Sequence, residues 1–118
     1  MVSGFRREAK EEYDRLQSLC EQCRQRLQSQ NLRDLQAQKD YQLCVVDLVA
    51  ESALAMYFLQ RIEVELDAWY RESGTSSDSR GVENLKKDIR NMYYALRGIN
   101  ESFIDIDVML RFRMSLVS

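Results

Sequence analysis

The sequence predicts an all-α protein built on a long antiparallel helical hairpin, and three observations carry that reading. Proline is absent from the 118 residues and glycine occurs only at Gly4, Gly74, Gly81 and Gly98, so almost nothing in the chain is placed to break a helix. Apolar residues recur at the three- and four-residue spacing of a helix face over most of the length. One segment, Arg71 to Gly81, interrupts that pattern with small polar residues and two glycines. At 45% hydrophobic and 31% charged, the composition fits one folded, soluble domain over 1–118 rather than a disordered chain.

The first two helices share one heptad ladder. With Tyr13 as an a position, Cys20, Leu27, Tyr41, Leu48, Ala55, Ile62 and Trp69 fall on the same series, and only Asp34 breaks it. The matching d series holds Leu16, Cys23, Ala37, Cys44 and Phe58, and is imperfect at Gln30, Glu51 and Glu65. Helices are therefore predicted at 5–30 and 34–70, with a bend over Gln28–Gln36, where Leu32 and Leu35 leave the ladder.

The turn is predicted over 71–81, and a third helix over 82–117. Val82, Leu85, Ile89, Met92, Leu96, Ile99, Phe103, Ile106 and Leu110 follow at spacings of three and four without a miss. From Ile104 to Leu116 apolar residues also alternate with Asp105, Asp107, Arg111 and Arg113, which is a strand pattern. A strand there would have no partner in a helical chain, and the heptad phase runs through Leu110, so helix is expected.

Folding the chain about 71–81 makes facing residues add to a constant. A sum of 154 sets Trp69 against Leu85, Ile62 against Met92, Phe58 against Leu96, Ala55 against Ile99 and Cys44 against Leu110. Charge supports this pairing, because residues 41–72 hold six acids and two bases while 80–101 hold five bases and three acids. Glu63 and Asp67 are expected near Lys86, Lys87 and Arg90.

A two-helix hairpin leaves apolar residues over. Val45, Val49, Met56 and Leu59 form a second stripe beside the seam, and Ile104, Val108 and Phe112, with Met109 and Leu116, lie off it on the third helix. Burying each such side chain is worth about 1.5–3 kcal/mol, so something should cover them. Helix 5–30 would cover them by folding back into a three-helix bundle. Alternatively, a second copy would form a dimeric four-helix bundle or coiled coil with 5–36 projecting, which the nearly unbroken Tyr13–Trp69 ladder favours. Val45, Val49, Met56, Leu59, Ile104, Val108 and Phe112 are accordingly the candidate protein-interface residues.

Chemistry is sparsely provided. Histidine is absent, removing the commonest general base, and no glycine-rich loop is present to cradle phosphate. Cys20-Glu-Gln-Cys23 is the one motif-like pair, but both cysteines fall on the ladder, and only Cys44 remains to extend a metal site. Glu63 with Asp67, and Asp105 with Asp107, read as solvated helix faces. Trp69, Tyr57, Tyr93 and Tyr94 offer stacking surfaces, although Trp69 fits the seam. No catalytic residue, metal or cofactor is expected.

A formal charge of −2 argues against nucleic acid, and the apolar run Leu43–Leu59, broken by Asp47 and Glu51, argues for a core helix over a membrane span. Three cysteines without a recognisable signal segment point to the cytoplasm or nucleus. The expected function is a non-enzymatic oligomerisation or scaffold module that packs its helices against itself or another helical protein. The alternative is a monomeric three-helix adaptor for a target helix or, less readily, for nucleic acid through Lys86, Lys87 and Arg90. No small-molecule substrate is expected.

Overall fold

The computed structural model describes residues 2–29 and 34–117. Three helices follow in order: α1 (Val2–Ser29), α2 (Leu35–Ser73) and α3 (Ser79–Val117), with one turn of 3-10 helix at Ser76–Asp78. They pack as an all-α bundle measuring 62 × 22 × 15 Å. At 1.5 Å per residue, the 39 residues of α2 or α3 span about 58 Å, so each runs the full length of the rod.

The turn is tighter than its polar composition suggests. α2 continues through Ser73, and the Gly74 N–H donates to the Tyr70 carbonyl at 3.0 Å. A Cβ on Gly74 would meet the Tyr70 ring and stand 2.6 Å from the Tyr70 carbonyl oxygen, so this is the position that requires glycine. The Thr75 N–H donates to Asp78 Oδ2 at 2.8 Å and starts the return. At the other connection Asp34 caps α2, accepting from the Gln36 N–H at 3.2 Å. The bend expected over Gln28–Gln36 lies partly outside the described residues.

α3 buries the face that its spacing predicts. Val82, Leu85, Ile89, Leu96, Phe103 and Leu110 are buried, with Met92, Ile99 and Ile106 packed beside them. The segment 104–116 is helical, so its strand-like alternation is not used. Arg90 Nε pairs with Glu63 at 3.0 Å and Lys86 Nζ with Asp67 at 2.9 Å. Both pairs add to 153, within one residue of the register expected from the ladders.

α1 folds back and completes a three-helix bundle. Phe5 packs on Trp69 with ring centroids 6.3 Å apart, Arg6 pairs with Asp88, and Arg15 reaches Glu51 at 2.8 Å. α1 thus runs antiparallel to α2 and parallel to α3. The projecting arrangement of 5–36 is not adopted. Among the described side chains of α1, Ala9, Leu16, Cys20 and Cys23 are buried.

The α2 seam differs from expectation in one of its two rows. Tyr41, Leu48, Ala55 and Ile62 are buried as the a series predicts, but the companion row is Val45, Ser52, Leu59 and Leu66. Cys44 and Phe58 are only half-buried, and Glu51 turns to α1. The chosen row contains one polar residue, whereas Cys44, Glu51, Phe58 and Glu65 would bury two charges. Ser52 is accommodated by hydrogen bonds: its hydroxyl donates to the Val49 carbonyl at 3.0 Å, and Asn100 Nδ2 donates to Ser52 Oγ at 2.8 Å and to the same carbonyl at 3.0 Å.

Candidate protein-interaction surfaces

Apolar surface is in excess after the bundle closes, and the fold decides where. Val45 and Leu59, expected at an interface with a partner, are fully buried inside the chain, because α1 and α3 together need a wider face of α2 than a two-helix seam would. Val49 and Met56 are half-buried against the same core. Ile104, Val108 and Phe112 remain exposed. The structure therefore divides the seven candidates into core, core margin and open surface.

Residues that the spacing did not single out form another surface. Leu43, Val46, Leu54, Tyr57 and Val64 are exposed on the outer surface of α2, with Ala50 and Ala53 between them and Leu43 and Ala50 at the margin shared with α1. Leu43, Val46, Ala50, Ala53, Tyr57 and Val64 themselves keep heptad spacing, Gln60 being the one polar member of the row. A sequence signal for them existed, since 43–59 is apolar almost all round. By length and composition Gln36–Ser73 is apolar enough to cross a membrane, yet only 28% of its most apolar window is buried. A helix that owed its apolarity to the core would be mostly buried.

A second exposed cluster sits at the end of α3: Ile104, Val108, Met109, Phe112 and Leu116. α1 has 28 residues, about 42 Å, and starts beside the turn, so it stops short of the far end of the rod. The α1-facing side of α3 beyond about residue 110 is left without a helical neighbour for that reason.

Between α1 and α2 lie two hollows in line, together forming a furrow that the Arg15–Glu51 ion pair crosses. Arg15, Leu19 and Gln22 face Leu43, Cys44, Leu48 and Glu51 along one half, rimmed by Asp40 and Asp47. Glu8, Glu11 and Glu12 face Phe58, Arg61, Ile62 and Glu65 along the other. The same two helix rows supply both halves. Seven carboxylates thus stand beside the exposed Leu43 and the half-buried Leu19, Cys44 and Phe58, against two guanidinium groups, Arg15 and Arg61. Arg15 is held by Glu51 and Glu12, which raise its pKa, and Arg61 is paired with Glu65 at 3.1 Å.

The remaining polar candidates have structural partners. Cys23 lies against Cys44 and Tyr41, and burial pushes its thiol up to about 12, with the Tyr41 phenol likewise raised to about 12. Burial also raises the Cys20 thiol. Protonated thiols are poor nucleophiles and poor ligands. Among the described residues no three His, Cys, Asp or Glu side chains are placed to hold a metal ion. Asp107 pairs with Arg111 at 3.0 Å, and Tyr93 and Tyr94 pack edge to face on each other.

No known protein family, curated protein or solved structure matches the chain.

Proposed function

We propose that this chain is a non-enzymatic assembly module, a three-helix bundle that joins a larger complex by packing other helices against its outer apolar faces. The observation that carries this reading is the low burial of the most apolar stretch of α2, whose outward row keeps heptad spacing. A contiguous row of exposed apolar side chains is the kind of surface that marks a packing interface. The raised thiol pKa values of Cys20 and Cys23 and the absence of histidine speak against a catalytic role.

The α2 row suits a second copy, and the furrow suits a foreign helix; both are helix-packing interfaces. The test has two parts. Light scattering at micromolar concentration reads self-association, and titration with labelled amphipathic helical peptides reads docking of a target. Self-association lost on Tyr57→Glu, or peptide docking lost on Leu54→Gln, each with helicity retained, is the expected result. A strict monomer that binds no helix overturns the reading.

A further inference from the structure

The geometry points to the α1/α2 furrow as a docking site for a basic amphipathic helix of a partner protein, which would lie along it as a fourth helix of the bundle. This inference rests on the assembly reading and names the partner's chemistry. Between Lys39 and Arg61, α2 carries no basic residue, while Asp40, Asp47 and Glu51 line the furrow beside the exposed Leu43. Leu54, also exposed, lies seven residues from Asp47 and from Arg61, both of which line the furrow, and so stands in the same helical row.

Charge selects among occupants of this apolar surface. The furrow holds seven acids and two bases. The chain as a whole holds 19 acids and 17 bases, so outside the furrow 12 acids face 15 bases. The excess of acid is therefore local, and it sits where apolar side chains are also exposed. Glu51 and Glu12 are satisfied by Arg15, and Glu65 by Arg61, but Asp47 has no ionic partner among the described residues. A second copy presenting the same furrow would set acid against acid, and an anionic surface would be repelled. A helix with apolar residues every third and fourth position, flanked by Lys or Arg, matches both the apolar side chains and the acidic rim. On α2 the residues lining the two hollows run from Asp40 to Glu65, about 37 Å, the length of roughly seven helical turns.

The probe is a labelled synthetic helix of about 25 residues with leucines on one face and Lys and Arg beside them, titrated by fluorescence anisotropy with the whole chain. Saturable binding is expected, weakened at least about tenfold by Leu54→Gln and by the pair Asp40→Lys and Asp47→Lys, all exposed positions, with circular dichroism unchanged. Three results overturn the inference: equal binding of a peptide of the same composition with its apolar residues scattered, equal binding of a glutamate-flanked helix, or no effect of Leu54→Gln. Uptake by phosphatidylcholine vesicles that Leu54→Gln abolishes also overturns it, in favour of lipid. A chain that ignores the basic helix but self-associates through the Leu43–Val64 row overturns this inference and leaves the assembly reading standing. A chain that does neither overturns both.

Discussion

Leu59→Ala measures which row of α2 builds the core. Leu59 is 0% exposed, in the buried row with Val45, Ser52 and Leu66. The substitution removes three buried carbons, about 2.4 kcal/mol of transfer free energy at about 0.8 kcal/mol each. Partial collapse of the surrounding helices leaves a cavity that adds about 1–2 kcal/mol, for a total of about 3–4 kcal/mol. With a urea m value of about 1.5 kcal/mol/M, the midpoint should fall by about 2 M. Leu43 is 66% exposed, and Leu43→Ala should stay within about 0.5 kcal/mol of the parent. Urea unfolding followed by circular dichroism, with all variants at the same protein concentration, provides the comparison, because any self-association makes a midpoint depend on concentration. A loss below about 1 kcal/mol for Leu59→Ala, or an equal loss for Leu43→Ala, would refute the assignment of this row to the core.

Other consequences are as direct. Asn100→Ala removes two hydrogen bonds to the Val49 carbonyl and Ser52 and should cost about 1–2 kcal/mol in the same assay, a cost that Ser52→Ala alone should not reproduce in full. Gly74→Val places a Cβ 2.6 Å from the Tyr70 carbonyl oxygen and should lower the thermal midpoint, whereas Gly98→Ala, with nothing near its Cβ, should hold or raise it. Because burial raises the Cys23 thiol to about 12, the folded state keeps a proton that the unfolded state loses from about pH 9 upward, so stability should fall as pH rises through that window. Cys23→Ala should flatten the slope of the urea midpoint against pH between 9 and 11, and an unchanged slope would count against the buried thiol as its source. Iodoacetamide at neutral pH should label Cys44 before Cys20 and Cys23, as read by mass spectrometry.

The expected helices and the α2/α3 register were legible because heptad spacing and charge asymmetry are both local records of which side of a helix meets its neighbour. The nine-residue series from Val82 to Leu110 faces the core throughout, with its members buried or packed against the buried residues. The interface residues were less legible. Val45 and Leu59 look like surplus only if α2 has one neighbour; with two, they are needed inside. The comparison of Val45, Ser52, Leu59 and Leu66 with Cys44, Glu51, Phe58 and Glu65 could have been made from composition, since the second row buries two glutamates.

By itself the sequence determined the helical class, the place of the turn, the buried face of α3 and its pairing with α2, because an unbroken apolar period and the lack of helix breakers admit few other structures. Tertiary structure alone decided that α1 returns along α2, which face of α2 lies inward, and where acid and exposed apolar surface meet. The physical reason is that a helix apolar almost all round has no intrinsic inside. Its inner face is chosen by the number and positions of the helices around it, and those depend on contacts between residues far apart in the chain.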